Sequence, residues 1–299
     1  MSGIKNLSIL IPIFNFDIRK LVKNLSEQAD LLSIPVEIIC TDDFSSDSFK
    51  RLNREVTSLP HVSYFEEPIN RGRTSIRNHL IYKAIYDHVL FLDCDSTIVS
   101  KDFLLNYIHH PNAPVKIGGT IYSPEPPKDW KYKLHWLAGS EREVKTAQER
   151  MRSPYNSLTI NNILIEKSVF QKVILNEIIK GYGHEDTLFG MDLMATQIEV
   201  LHIDNPVLHE GLNDFNSFLS KTKEGLQNLH LILKMKDAQV HTTLLSTYNT
   251  IKKYRCIGFV RFILVLISPL LLKNLQSKSP SLLALDLFKL KEFIGIKKS

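Results

Sequence analysis

The stretch HVLFLDCD, residues 88–95, reads as a short buried strand that stops at two carboxylates. Upstream segments repeat this pattern. Residues 7–14 (LSILIPIF) form a partly β-branched apolar run ended by Asn15, and residues 36–40 (VEIIC) run into Thr41-Asp42-Asp43. Residues 61–65 make a third run, with Asn70 and Gly72 just beyond it. Between the runs the apolar spacing turns helical over 18–29 (Ile18, Leu21, Val22, Leu25), and 49–59 and 74–85 also read as helices. Strands alternating with helices predict an α/β fold, a parallel, doubly wound sheet with helices on both faces. Ligands of such sheets sit outside the carboxyl ends of the strands. The polar clusters of this chain fall at those ends.

Beyond Lys101 the regularity changes. Residues 115–122 (VKIGGTIY) and 159–165 read as strands, 167–179 as a helix, and 199–203 as the last strand. Between them, 123–155 carries Pro124, Pro126, Pro127, Trp130, Trp136 and a charged helix over about 141–151. Such an insertion suits acceptor binding or a mobile lid. Gly181-Tyr-Gly-His-Glu-Asp186 opens a helix over 187–194, and the chain is helical from about 213 onward.

Composition narrows the function. Of 299 residues 43% are hydrophobic, which excludes a disordered chain. Cys40, Cys94 and Cys256 are scattered, so neither a disulfide framework nor a CxxC metal site is expected, in keeping with a reducing compartment. The net charge of +5 is unevenly spread: residues 213–299 hold 14 Lys/Arg against 5 Asp/Glu, whereas 1–212 hold 23 against 27. A basic tail on a mildly acidic body argues against nucleic acid and for a membrane surface or a docking partner. No signal peptide is expected, because no long apolar stretch with a small-residue cleavage site follows the N-terminus. The apolar segment 257–272 contains Arg261 and is broken at Ser268-Pro269, which makes it a marginal span. It reads either as a buried core helix or as a helix lying in a lipid interface. Lys252, Lys253, Arg255, Arg261, Lys273 and Lys278 flank it, and an amphipathic segment 281–294 follows. The same apolar surface could instead build a homodimer.

Several residues carry chemistry. Asp93 and Asp95, at i and i+2 on an extended chain, would point to one side, where a hard cation such as Mg²⁺ or Mn²⁺ offsets their repulsion. Asp42-Asp43-Phe-Ser-Ser-Asp47 offers acceptors for a base or ribose and also helix caps. Glu185 and Asp186, after two glycines, offer a general base or simply complement a helix dipole. His209 is a metal ligand or a structural histidine. Arg71, Arg73 and Arg77 suit a diphosphate.

In this order and at these strand ends, Pro12-Ile13-Phe14-Asn15, Asp42-Asp43, Asn70-Arg71-Gly72 with Arg77-Asn78, Asp93–Asp95 and Glu185-Asp186 resemble the family 2 glycosyltransferases of the GT-A fold, of the bacterial polysaccharide type. The resemblance spans about residues 5–212. It implies a Rossmann-like mixed, mostly parallel sheet with a C-terminal helical extension. Residues 1–212 would be the catalytic domain, with a nucleotide-binding half to about 100 and an acceptor-binding half after it; 213–299 would associate with membrane. It implies that Pro12, Phe14 and Asn15 line a nucleotide pocket completed by Asn70, Gly72, Arg77 and Cys94, and that Asp43 meets uracil. Asp93 would approach ribose and metal. Asp95, with His209, would hold Mn²⁺ or Mg²⁺. Asp186 would be the base, and Glu185 would help hold the acceptor. The implied reaction is an inverting, metal-dependent transfer from a nucleotide-sugar, UDP-linked, to a hydroxyl of a glycan or lipid-linked glycan. It would take place in the cytoplasm at the inner face of the cell membrane. The Q-x-x-R-W string of many relatives is missing, which argues against a processive synthase. Two other functions remain open. A sugar nucleotidyltransferase normally carries a Gly-rich signature after the first strand, and residues 12–17 hold no glycine. A non-catalytic, membrane-docked binding module would have no need of intact carboxylates.

Overall fold

The structure, a computed structural model, describes residues 3–235, 240 and 242–297. Its strands are β1 (Leu7–Ile13), β2 (Val36–Asp42), β3 (Val62–Glu66), β4 (His88–Phe91), β5 (Ser96–Ile98), β6 (Val115–Ile117), β7 (Thr120–Ile121), β8 (Ile163–Glu166), β9 (Val200–His202) and β10 (Val207–His209). Its α-helices are α1 (Arg19–Ala29), α2 (Asp47–Asn53), α3 (Arg73–Lys83), α4 (Phe103–His109), α5 (Lys133–Arg142), α6 (Ala147–Met151), α7 (Glu185–Ala195), α8 (Phe215–Met235), α9 (Thr243–Lys253), α10 (Ile257–Leu266), α11 (Ser268–Leu275) and α12 (Leu282–Ile296). They form two compact units. One runs through Ser123 and includes Glu143–Lys180 and Glu185–Gly211; the other comprises Pro124–Arg142, Gly181–His184 and the chain from Leu212 onward.

The first unit is built on a seven-stranded sheet in the order β3-β2-β1-β4-β8-β6-β9. All its pairs are parallel except those of β8, which runs antiparallel to both β4 and β6. Successive residues of β1 serve opposite faces: Ile9 and Ile11 pack with Val22, Leu25 and Phe103, and Leu10 packs with Leu80, Phe91 and Phe189. A strand covered on both sides explains why LSILIPI reads as an unbroken apolar run. The register pairs Ile13 with Asp42, Asp42 with Glu66 and Leu10 with Phe91, so the carboxyl ends of β1 to β4 share one edge.

The expected single strand over 115–122 is two. Gly118 and Gly119 divide it, because a side chain does not fit there: a Cβ on Gly118 would lie 2.3 Å from Asn162 Nδ2 and 2.4 Å from the Asn205 carbonyl. β7 leaves the main sheet for a three-stranded one, β5-β10-β7. β5 and β10 were not foreseen. The helix expected over 141–151 is also two, with α6 restarted by a capping box in which Thr146 and Glu149 bond each other's backbone N–H. The helix expected over 167–179 is a 3₁₀ turn, Lys167–Gln171, followed by irregular chain. There Val173 and Leu175 are buried, and the Leu175 carbonyl accepts from Asn78 Nδ2 at 2.9 Å instead of from a helical N–H.

In the second unit, α5 contributes Leu134 and Ala138 to a core with Phe215, Leu219, Leu271, Leu275, Ala284, Leu285 and Phe288. Segment 124–142 therefore groups with the helices after residue 212. The 181–184 turn belongs to the same unit; the Tyr182 and Gly183 carbonyls accept from Asn228 Nδ2 of α8 at 3.2 and 3.1 Å. α12 buries Leu285, Phe288, Phe293 and Ile294 and is a core helix, which corrects the expectation that segment 281–294 lies on lipid.

Asn162 fastens β8 to its surroundings. It is fully buried at φ +59°, its Nδ2 donates to the Gly119 and Asn205 carbonyls at 2.8 Å each, and the Tyr107 hydroxyl lies 2.8 Å from its Oδ1. Asn162→Ala would orphan these groups and place alanine in a left-handed conformation. We expect a loss of about 3 kcal/mol, read from the denaturant midpoint at unchanged slope.

Candidate active site

At the first two strand ends the chain turns outward. Phe14 and Phe44 are left 54% and 51% exposed, on adjacent strands beyond the Ile13–Asp42 pair. Pro12 is partly buried within β1. The Asn15 N–H donates to Ser45 Oγ at 2.8 Å, and its Oδ1 accepts from the Ser46 N–H at 2.9 Å, so the two loops are latched together. Phe44 escaped the sequence reading; its signal was an aromatic directly after the acid pair.

Asp43 is a brace. Its two oxygens accept the backbone N–H groups of Arg71 at 2.6 Å and Gly72 at 2.9 Å, and its carbonyl accepts from Asn70 Nδ2 at 2.9 Å. Gly72 needs its missing side chain here, with φ at +84° where α3 begins. Burial raises the Asp43 carboxyl above its ordinary range, against the pull of those two N–H groups.

The Asp93-Cys94-Asp95 segment is a turn and not extended chain, closed by the Ser96 N–H on the Asp93 carbonyl at 3.1 Å. The nearest ionic partners of the two carboxylates differ. Asp93 takes a short ion pair from Arg77 Nη2 and lies 3.8 Å from Arg73 Nη2. Its N–H donates to Asn161 Oδ1 at 3.0 Å, a residue the sequence did not single out. Cys94 packs against the core beneath β1, and burial pushes its thiol up to about 12.

Asp95 instead faces His209. The antiparallel register sets His209 of β10 opposite Ser96 of β5, next to Asp95, and Asp95 Oδ1 lies 3.6 Å from His209 Nδ1. Burial opposes both charges, yet each outweighs that cost for the other: Asp95 is held below its ordinary pKa and His209 above. The distance suits an ion pair but exceeds a hydrogen bond, and Asp95 Oδ1 is buried without a hydrogen-bond partner. The other face of the carboxylate rests on Gly211, where a Cβ would lie 1.9 Å from Oδ2. Among the described residues no three His, Cys, Asp or Glu side chains gather to hold a metal. An orphaned carboxylate oxygen beside one imidazole nevertheless fits a Mg²⁺ or Mn²⁺ ion that takes its remaining ligands from a diphosphate. Asp93, the other carboxylate expected at the metal, is engaged by Arg77 and Arg73.

α3 also reaches α7. Arg73 Nε donates to Glu185 Oε1 at 3.0 Å, so one guanidinium spans Glu185 and Asp93. Glu185 Oε2 and Arg77 Nε are buried without hydrogen-bond partners, which leaves unmet polar atoms on both sides of that bridge. Asp186 Oδ1 accepts the Ile160 N–H at 3.2 Å. Asp186 keeps partial solvent exposure as a residue, but desolvation of its carboxyl, followed by the charge on Glu185, pushes its pKa up to about 7 against Arg77 and Arg73. Residues 160 and 161 thus touch Asp186 and Asp93 respectively. The expected site residues divide into Asn15, Asp43, Asn70 and Gly72 at one end, Arg77, Asp93, Glu185 and Asp186 in the middle, and Asp95 with His209 beyond.

Solved structures with a similar fold include glycosyltransferases. A mannosyltransferase from Pyrobaculum calidifontis, in complex with GDP-Man and Mn²⁺, superposes with a TM-score of 0.53 at 13% identity; the match covers 78% of this chain and 65% of that one. TarS residues 1–349 from S. aureus superpose at 0.50 and 16% identity, over 98% and 90% of the two chains. Glucosyl-3-phosphoglycerate synthase from Mycobacterium tuberculosis, in complex with Mn²⁺, UDP and phosphoglyceric acid, superposes at 0.52 and 12%, over 75% and 77%. These likenesses establish the GT-A fold, with β8 as the reversed strand of a mostly parallel sheet. No match was found among curated protein sequences. The sequence profile described as Glycosyl transferase family 2 matches residues 8–174, more than half of the chain, and the chain belongs to that family.

Proposed function

We propose that the chain transfers a sugar, with inversion, from a nucleoside diphosphate donor to a hydroxyl of a glycan or lipid-linked glycan. The observation that carries this reading is the Arg73 bridge, which ties Asp93 on the donor side to Glu185 beside Asp186. The exposed rings of Phe14 and Phe44 would stack on the base, and the Asp43-braced turn would border the ribose. Uridine is the base we infer, from the likeness of the strand-end motifs. Arg77 and Arg73 would carry the diphosphate charge. A divalent cation held by Asp95 and His209 would supply neutralisation of the departing diphosphate.

The proton route uses the chain's own groups. Asp186 takes the proton of the acceptor hydroxyl; that oxygen attacks the anomeric carbon from the face opposite the diphosphate, and the bond to the leaving nucleoside diphosphate breaks. A base with a pKa of about 7 is well matched to this task, being about half ionised at neutral pH yet basic enough to draw the proton. The unpaired Oε2 of Glu185 would accept from an acceptor hydroxyl and orient it.

Asp186→Asn should abolish transfer while leaving donor binding nearly intact, as read by nucleoside diphosphate release alongside titration calorimetry; turnover in this variant would remove Asp186 as the base. For the wild type, kcat/KM should climb about tenfold per pH unit below pH 7 and level off above it. The raised carboxyl also makes a stability prediction. Its proton is held more tightly in the native state than in the unfolded chain, so stability falls as pH rises towards 7. Asp186→Asn should therefore raise Tm at pH 8 and change it little at pH 4. Gly211→Ala, which forces the Asp95 carboxylate to move, should reduce Mn²⁺-dependent nucleotide binding at least tenfold with circular dichroism unchanged.

A further inference from the structure

α10 and α11 have two apolar faces, and the helical unit covers only one. Leu264, Leu271 and Leu275 are buried, with Ile257, Val260 and Ile267 packed beside them. Phe259, Phe262, Leu266 and Leu270 recur at helical spacing on the other side and are 68%, 66%, 66% and 68% exposed. A helix apolar all round ordinarily has cover all round. Charge selects the kind of cover. Residues 242–285 contain six Lys/Arg (Lys252, Lys253, Arg255, Arg261, Lys273 and Lys278) and no Asp or Glu. All six are exposed, and in sequence Arg261 falls between Phe259 and Phe262. A second copy seated symmetrically on this face would bring that cationic set against itself.

We propose that the exposed face of α10 and α11 seats the chain on an anionic lipid surface. The helices lie in the interface and do not cross it. No single described helix is long and apolar enough to span; the pair together has the length and composition but is bent by 56° at Ile267, and one side of it is buried in the protein. The ten residues of α10 reach about 15 Å, half the thickness of a hydrocarbon core. Its other face stays in the protein core, so the aromatic side enters only to the level of the acyl boundary while the Lys and Arg side chains meet lipid phosphates.

The test is co-flotation of the full chain with vesicles of phosphatidylcholine alone and of equal parts phosphatidylcholine and phosphatidylglycerol, at low and high salt. Binding is expected only to the phosphatidylglycerol vesicles and is expected to weaken with salt. The triple variant Phe259→Ser/Phe262→Ser/Leu266→Ser should keep its Tm, since all three side chains are exposed, and lose binding by roughly tenfold or more. Arg255→Glu/Arg261→Glu should lose it to a similar extent at low salt. A wild-type chain that stays unbound, or a triple variant that still floats, overturns the proposal. So does a dimer in analytical ultracentrifugation that the triple variant converts to monomer. Vesicle binding is read without donor or acceptor, so its failure leaves the transferase reading untouched.

Discussion

Like charges crowded on one rim are the constraint on which the site depends. Asp93 and Asp95 follow a strand end and Glu185 and Asp186 open α7, linked through Arg73 and Arg77; two like unit charges 4 Å apart repel by about 4 kcal/mol in a protein-like dielectric. Three cations meet this cost in different ways. Arg77 neutralises Asp93, Arg73 is shared between Asp93 and Glu185, and His209 sits against Asp95. Asp186 makes no ion pair with them, and desolvation together with the Glu185 charge raises its proton affinity against the pull of Arg77 and Arg73. One electrostatic arrangement thus gives three carboxylates a close cation and leaves the fourth with a raised proton affinity, as the proposed base requires.

The surrounding fold fixes where those cations stand. α3 follows the Asp43-braced turn, so the placement of Arg73 and Arg77 begins with two N–H groups bonded to one carboxylate. β10 lies against β5 in a register that leaves His209 no position other than beside Asp95. Helix geometry sets one side of the site, and strand register the other.

Much of this was legible from residue order, and the exceptions have physical reasons. Apolar runs ending in Asn15, Asp43 and Asp93 gave away three strands and their common rim, because a strand covered on both faces is unmistakably apolar. β5 and β10 are three residues each, too short to show a period, so the neighbour of His209 was hidden. The Gly118-Gly119 break was visible in VKIGGTIY, but a glycine pair gives no hint that Asn162 and Asn205 occupy the missing side-chain volume. The capping box at Thr146 and Glu149 was readable and marks where α6 begins. The apolar density of 167–179 imitated a helix, whereas Asn78, 97 residues earlier, holds the Leu175 carbonyl. Asn161 and the separate fates of Asp93 and Asp95 depend on tertiary neighbours that no local pattern records.

The short segment Ile160-Asn161 has a further consequence. The Ile160 N–H meets Asp186 and the Asn161 side chain meets the Asp93 N–H, so in the proposed reaction the acceptor and donor sides would be tied to neighbouring residues, about 3.8 Å apart between Cα atoms. A covalent gauge does not creep when side chains around it repack or when temperature loosens a core. On the proposed reading, walls that choose the sugar or the acceptor could be exchanged residue by residue without disturbing the link between donor side and base.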